Sequence, residues 1–226
     1  MSQDLSFLCK AIPHLQPMLD EVVFIGGAIV PLYVTDAALL YVRPTLDIDI
    51  LSAATTYSAY QETVDQLLRL GFQHDIDGPI CRFIKGELIV DLMSPTESIL
   101  GFSNDFYHQA LVSSQLFGLP NGLQIRIPTP PLMLATKLAA FDSRGKADPA
   151  VSKDLDDIVT LVDGRAELVE EVKDCAPELR QYIAESLRWI ATHKIIRHLL
   201  PGFFLGVDAA YRHDRFQRRV AVINHL

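Results

Sequence analysis

The spacing of apolar residues changes near residue 128, and this change limits the folds open to the chain. Before it, short apolar runs typical of strands alternate with segments of helical spacing. After the IPTPP segment, the apolar residues recur at helical spacing. We therefore predict an α+β fold, with a mixed β-sheet flanked by helices in residues 1–128 and a mainly helical region in residues 129–226.

The sequence also predicts individual elements from Gly, Pro and capping residues at the ends of the apolar segments. Lys85-Gly86 is predicted as the tight turn of a hairpin. The predicted strands are 21–25, 46–51, 80–84, 87–93 and 124–127. The predicted helices are 28–41, 57–70, 131–141, 152–162, 166–175, 177–193 and 208–226.

Composition excludes several classes of protein. The formal net charge of -8 argues against broad coating of nucleic acid, which depends on many Lys and Arg contacts to phosphate. The 3 cysteines are scattered and suggest neither a disulfide framework nor a cysteine zinc site. The N-terminus lacks a signal-peptide pattern, and no apolar run approaches the roughly 20 residues needed to span a bilayer. We predict a cytoplasmic protein with no membrane partner.

Paired carboxylates mark the second predicted strand. In LDIDIL, Asp47 and Asp49 are two residues apart and project from one face, while Leu46, Ile48 and Ile50 are predicted to face a core. Crowded like charges need a cation, and Mg²⁺ prefers carboxylate and phosphate oxygens. Asp91 interrupts the apolar run ELIVDLM, where a purely structural strand would keep Val or Ile. The pattern predicts a metal and phosphate site.

Gly26-Gly27 follows the apolar VVFI run and precedes a predicted helix. Bare backbone N–H groups and a helix N-terminus can meet an anion at such a turn. A tight connection between strand and helix explains the two glycines equally well. The order of the motifs carries more weight than any one of them: strand, Gly-Gly, helix, paired aspartates, helix, and a hairpin with a third aspartate.

Three segments resemble, in this order, the motifs of the DNA polymerase β-like nucleotidyltransferase superfamily: VFIGGAIVPLYV, RPTLDIDIL and LIVDLM. Within it, the chain resembles the AbiEii-like (MenT-like) nucleotidyltransferases, a group that includes abortive-infection and toxin–antitoxin toxins. LATKLAAFDSRGK and SKDLDDIVTL are similar to its basic segment and its Lys-Asp-x-x-Asp helix. Ala28 departs from the superfamily, in which many members carry Ser beside the glycines. Outside the glycine and strand-aspartate motifs, the matching positions are Arg43, Lys137, Arg144, Lys146, Lys153, Asp154 and Asp157.

The resemblance implies the nucleotidyltransferase fold and transfer of a nucleoside monophosphate from a nucleoside triphosphate to an acceptor hydroxyl, with release of pyrophosphate. Asp47, Asp49 and Asp91 would be the catalytic, metal-binding residues for Mg²⁺ or Mn²⁺, with Asp91 as a second metal ligand or the proton acceptor. The acceptor would be tRNA or a protein, a cognate antitoxin would be a partner, and the helical region would complete the active site. The implied nucleotide-binding residues are Gly26, Gly27, Arg43, Lys137, Arg144, Lys146, Asp154 and Asp157.

Simpler explanations exist for some of these residues. Asp154 and Asp157 lie near a helix start, where the helix dipole favours negative charge, and Lys137 is explained by the exposed face of an apolar helix. The five arginines from Arg197 onward are predicted to form a solvated helix face, with Tyr211 and Phe216 packed inward, in preference to an RNA contact.

Two other functions stay open from the sequence. One keeps the chemistry but uses a small-molecule acceptor, as the aminoglycoside nucleotidyltransferases do. The other is a degenerate member that binds a nucleotide or a partner protein without turnover. The degenerate reading predicts that Asp91 points away from Asp47 and Asp49.

Overall fold

The computed structural model describes residues 5–36 and 42–226 and divides them into two compact units. The sheet unit contains residues 5–31 and Pro44–Thr129. The helical unit contains residues 130–226 and the described residues of the segment Leu32–Arg43. The described residues of 32–43 therefore group with residues 130–226.

The sheet unit contains a mixed sheet, which confirms the predicted α+β class. The strands within the described residues are β1 (Val22–Ile25), β2 (Asp47–Ser52), β3 (Gln73–His74), β4 (Arg82–Lys85), β5 (Leu88–Met93), β6 (Gln115–Gly118) and β7 (Gln124–Ile127). Their order is β3-β4-β5-β2-β1-β7-β6. β2 pairs with β5, and β1 with β7, in parallel, while the other pairs are antiparallel.

Helices make up most of the remaining described chain. None of them is long and apolar enough to cross a membrane. They are α1 (Ser6–Ala11), α2 (Val30–Tyr33), α3 (Tyr57–Arg69), α4 (Glu97–Leu100), α5 (Tyr107–Val112), α6 (Pro130–Ala140), α7 (Lys153–Gly164), α8 (Leu168–Lys173), α9 (Pro177–Thr192), α10 (Lys194–Leu199) and α11 (Ala209–Ile223). Short 3₁₀ segments span Ile12–Met18, Gly27–Ile29, Pro149–Val151 and Leu200–Phe203, and a π-helical turn spans Phe141–Gly145.

The predicted helix 28–41 is wrong in its length. A 3₁₀ turn leads into α2, which ends at Tyr33, and residues 37–41 of the prediction lie outside the described residues. The backbone N–H groups of Thr35 and Asp36 donate to the carbonyl of Gly164 at 3.0 and 2.9 Å. A bond to another helix thus replaces the bond to the preceding turn that would continue α2.

The two faces of the sheet differ in what covers them. On one face, Val23, Ile25 and Leu51 form an apolar cluster with Ala110 of α5. Side chains alternate along a strand, so Asp49, two residues before Leu51, continues this face beyond the cluster. The opposite face includes Ile48 and Ile50, which are buried as predicted. Leu46, predicted to face the core, precedes β2 and is 74% exposed, which corrects that prediction.

In the helical unit, α6 packs against α7 and α9, and α11 packs against α7, α8 and α9. The sequence of α6 is almost entirely apolar, which fits its buried central position. Ser152 begins α7 as an N-cap, since its side chain accepts from the backbone N–H of Leu155 at 3.3 Å.

Three arginines of α11 bind the end of α7, so the predicted solvated helix face is wrong for them. Arg212 Nε donates to Asp163 Oδ2 at 2.7 Å, and Arg215 Nε donates to Oδ1 at 2.8 Å. Arg219 donates to the backbone carbonyls of residues 162 and 163. Phe216 is buried as predicted, whereas Tyr211 is 60% exposed and does not pack inward.

Candidate functional site

Asp49 and Asp91 are neighbours on two parallel strands of the sheet unit. Their Cα atoms are register partners between β2 and β5, and Asp49 also pairs with Ile25 of β1, directly before Gly26. Asp47 lies two residues before Asp49 and projects from the same face. Thr45 donates a hydrogen bond to its carboxylate. The three aspartates singled out from the sequence therefore share one face, which we call the acidic face.

Arg82, which sequence reasoning missed, lies among these carboxylates. It is the register partner of Asp91 across the hairpin of β4 and β5. Its Nε and Nη2 donate to the two Asp91 oxygens at 2.8 and 2.7 Å, and Nη2 is 3.7 Å from Asp47 Oδ2. The hydrogen bonds to Asp91 raise the pKa of Arg82 above its ordinary value, so the guanidinium stays charged. A protein cation already balances part of the acidic face.

The acidic face does not fit a metal ion as it is arranged. Its carboxylates are the hard oxygen ligands that Mg²⁺ prefers, but both Asp91 oxygens accept from Arg82. Within residues 5–36 and 42–226, no group of three His, Cys, Asp or Glu side chains is placed to hold a metal. An ion bound to Asp91 would also lie close to the guanidinium charge, which repels it.

Gly26 allows the Asp49 carboxylate to lie against the backbone. Its φ of 79° and ψ of -168° fall in a region that is essentially confined to glycine. A Cβ atom there would lie 1.7 Å from Asp49 Oδ2 and 2.5 Å from Cγ. Gly27 begins a three-residue 3₁₀ turn, followed by the four-residue α2, so the helix dipole expected from a long helix is largely missing.

Replacing Gly26 with alanine is expected to displace Asp49 and to lower the free energy of unfolding by about 1–3 kcal/mol, the usual cost of such backbone strain. The reason is the combination of a dihedral region that alanine rarely adopts and a clash between its Cβ atom and the Asp49 carboxylate. Urea unfolding followed by circular dichroism measures the loss, and a crystal structure of the variant shows the position of Asp49.

Gly101→Ala is the matched control, because Gly101 also has a positive φ of 82° but a Cβ there meets nothing within 4 Å. It imposes backbone strain without touching the acidic face. If Gly26→Ala left Asp49 in place and cost no more than Gly101→Ala, the close approach described above would be wrong.

Cys81 lies beside the acidic face but is not suited to act as a nucleophile. Burial, followed by the negative charges of Asp91 and Asp49, raises the pKa of its thiol to about 11. At neutral pH the sulfur is therefore protonated, and the thiolate is the reactive form.

A second group of predicted site residues meets in the helical unit, and we call it the charged cluster. Lys137 Nζ lies 2.6 Å from Asp157 Oδ2 and 3.6 Å from Asp154 Oδ1. Arg144, at the π-helical turn, donates from Nε and Nη2 to Asp154 at 2.8 and 3.1 Å. Arg43 Nη2 lies 3.3 Å from Asp157 Oδ1. Five of the predicted nucleotide-binding residues are thus brought together.

The charged cluster is buried at its centre. Lys137 is only 7% exposed, which rules out the exposed helix face that its sequence context allowed, and Asp154 and Asp157 are 4% and 2% exposed. Burial raises the pKa of Asp154, but the hydrogen bond from Arg144 and the charge of Lys137 outweigh it and hold the pKa below its ordinary value. Asp154 and Asp157 therefore do more than place charge near a helix start.

Lys146 has different neighbours from the other predicted nucleotide-binding residues. Its ammonium group pairs with Asp142 and lies 4.3 Å from the centre of the Trp189 ring. Trp189 in turn stacks on His193, with ring centres 4.5 Å apart. These contacts hold Lys146 on an aromatic surface.

Sequence comparison gives the chain no family. No protein-family model matches it, and no curated protein is significantly similar to it.

Proposed function

We propose that this chain is a nucleotidyltransferase that transfers a nucleoside monophosphate from a nucleoside triphosphate to an acceptor hydroxyl. The observation that carries the proposal is the acidic face: Asp49 and Asp91 in register on parallel strands, with Asp47 on the same face. Asp49 also lies against the Gly26 turn. Carboxylates placed together in this way can accept the proton of an attacking hydroxyl and position the reacting groups, which suits transfer to a hydroxyl.

The charged cluster supports the same proposal. It contains Lys137 and Arg144 at the positions that the family resemblance assigns to nucleotide contacts. The Arg144 side chain is 71% exposed although it is paired with Asp154. A guanidinium that is held by a carboxylate and is largely exposed to solvent is suited to bind phosphate oxygens.

In the proposed reaction, the acceptor oxygen forms a bond to the α-phosphorus while the bond from that phosphorus to the pyrophosphate oxygen breaks. The hydroxyl proton passes to a carboxylate or to solvent, and pyrophosphate leaves. Asp91 is one possible proton acceptor, but both of its oxygens accept from Arg82. Asp91 can take this proton only after Arg82 has released an oxygen, since a general base must reach the proton directly or through one water.

The proposed acceptor and partners rest on the family resemblance alone. The family resemblance favours tRNA or a protein hydroxyl, and it implies a cognate antitoxin as a partner. A small-molecule acceptor of the aminoglycoside type uses the same chemistry, so the acceptor has to be found by direct test.

A second candidate function is nucleotide or partner binding without turnover, and Arg82 is the observation that favours it. An arginine that neutralises Asp91 and lies near Asp47 gives the acidic face a stable ion-paired state. Against this candidate, Asp91 does not point away from the other aspartates, because it and Asp47 both approach the same nitrogen of Arg82.

Incubation of the protein with each nucleoside triphosphate labelled at the α-phosphate tests the proposal. Mg²⁺ or Mn²⁺ is added, and the acceptors are total tRNA, a protein extract and aminoglycosides. We expect label to pass to one acceptor class, and Asp49→Asn to lower the rate by at least about 100-fold, as loss of a group aimed at the reacting centre does. Asp65→Asn, an exposed position on α3, is the control and keeps the wild-type rate.

The outcomes separate the two candidates. Label transfer that is lost only in Asp49→Asn supports the enzyme and identifies its acceptor. Nucleotide binding without transfer to any acceptor favours the binding protein. If the protein neither binds nor transfers a nucleotide, the enzyme and the nucleotide-binding protein are both wrong, and only partner binding is left of the second candidate.

A further inference from the structure

Arg82 occupies the place where a cation shared by two aspartates of the acidic face would lie. One of its nitrogens is 2.7 Å from Asp91 Oδ2 and 3.7 Å from Asp47 Oδ2. Its other donor to Asp91, Nε, takes the second oxygen at 2.8 Å. Both carboxylate oxygens of Asp91 thus accept from one guanidinium.

A divalent ion and Arg82 compete for the same oxygen atoms. Mg²⁺ and Mn²⁺ bind carboxylate oxygens at about 2.0–2.2 Å, so an ion on Asp91 would lie beside the guanidinium that holds both of its oxygens. Two positive groups at such a separation also repel each other strongly at a partly buried site. Asp91 is 5% exposed, so water screens this repulsion little.

The Arg82 side chain is more open to solvent than its partner Asp91. It is 24% exposed, whereas the Asp91 side chain is 8% exposed. A partly exposed guanidinium can exchange its carboxylate for water without leaving a buried unpaired charge of its own. The buried partner is Asp91, whose charge would then need another cation.

We propose that Arg82 is an internal counter-cation that closes the acidic face to divalent ions, and that a metal binds only when Arg82 releases Asp91. This proposal rests on the proposed function in one respect: it takes a divalent ion as the ligand of the acidic face. Arg82 is thus a gate on metal binding: the closed state is the one described here, and the open state has the metal on Asp91 in its place.

The test measures the affinity of the full chain for Mn²⁺. Binding is monitored through the electron paramagnetic resonance signal of free Mn²⁺, which falls as the ion binds. Arg82→Gln removes the competing charge and is expected to bind Mn²⁺ at least about 10-fold more tightly than the wild type. Arg82→Lys keeps the charge but loses the two-pronged contact, so we expect its affinity to lie between the two. Asp91→Asn added to Arg82→Gln is expected to abolish the gain.

Arg126→Gln is the matched control, because it removes a partly exposed arginine from β7 of the same sheet. It is expected to leave Mn²⁺ affinity unchanged. Equal affinity of the wild type and Arg82→Gln would overturn the proposal. If Arg82→Gln fails to fold by circular dichroism, Arg82→Lys decides instead, and equal affinity of that variant and the wild type would overturn it.

The result does not depend on catalysis. Tighter Mn²⁺ binding by Arg82→Gln together with no label transfer would support the role of Arg82 as a gate and contradict the proposed enzymatic activity. Label transfer by the wild type, with equal Mn²⁺ affinity of the wild type and Arg82→Gln, would support the enzymatic activity and contradict the role of Arg82 as a gate.

Discussion

Lys137→Met is expected to lower the free energy of unfolding by about 3 kcal/mol, because it leaves two buried carboxylates without their shared cation. Asp154 and Asp157 are 4% and 2% exposed, so water cannot replace the lost ammonium group. Each carboxylate keeps one arginine, Arg144 or Arg43, which places the loss at the low end of the range for broken buried ion pairs. Urea unfolding at neutral pH measures it.

The double variant Lys137→Met with Asp157→Asn separates charge from packing. Removing the stranded charge is expected to recover part of the loss, so the two changes together cost less than their sum. Lys153→Met, at an exposed position in α7, is the control for loss of a lysine and is expected to stay within about 0.5 kcal/mol of the wild type. A loss below about 1 kcal/mol for Lys137→Met would show that the two carboxylates do not depend on it.

Asp163→Asn is expected to cost about 3–5 kcal/mol, the largest effect on stability that we predict. Asp163 is 0% exposed and accepts hydrogen bonds from Arg212 and Arg215, so the amide leaves the two arginines without their shared carboxylate, and only Arg215 keeps another one, Asp36. Urea unfolding measures the loss, and hydrogen exchange is expected to show its largest rise in α11, which these arginines hold to α7.

Glu170→Gln is the control for Asp163→Asn, since its side chain is 71% exposed and pairs with Lys173 on one helix. Such a surface pair contributes about 0.5 kcal/mol or less. If both changes cost the same small amount, the arginines of α11 do not depend on Asp163, and the solvated helix face predicted from the sequence would be the better description.

The strands of the acidic face were predictable because burial leaves a strong pattern in short segments. LDIDIL alternates between a covered face and an acidic one, and β2 was predicted to within one residue at each end. β6 was not predicted, because its residues are mostly exposed at the edge of the sheet and leave no alternation of apolar and polar residues. The early end of α2 was not predictable either, since it depends on hydrogen bonds to Gly164.

Arg82 was missed because the hairpin turn was predicted one residue too early. The sequence placed the hairpin turn at Lys85-Gly86, which would pair Asp91 with Ile80. The register instead pairs Lys85 with Leu88, which shifts the turn by one residue and brings Arg82 opposite Asp91. Gly86, with a φ of 60°, lies at the first position of this turn, where hairpins favour glycine. A turn assigned with Gly86 at its first position would have placed Arg82 opposite Asp91, where the two form their ion pair.

The residues of the charged cluster were singled out only through the family resemblance, as nucleotide-binding residues, and their pairing with one another was not predicted. Nothing local in PLMLATKLAAF shows that its lysine is buried, because the carboxylates that compensate its charge come from another helix. Periodicity describes which face of a helix is apolar, but it does not identify partners that are distant in the sequence.

The path of the chain between the two units has a consequence for its synthesis. The segment that contains Thr35 and Asp36 is made early, but its hydrogen-bond partner Gly164 and its ion-pair partner Arg215 follow much later. Arg215 lies 179 residues after Asp36, a delay of roughly 10–40 s at ordinary rates of translation. Throughout that interval, the strands of the sheet can pair as they leave the ribosome, while Thr35 and Asp36 still lack the helices that anchor them. A nascent chain halted after residue 129 would therefore expose the backbone N–H groups of Thr35 and Asp36, which lack their native acceptor at that stage, to chaperones.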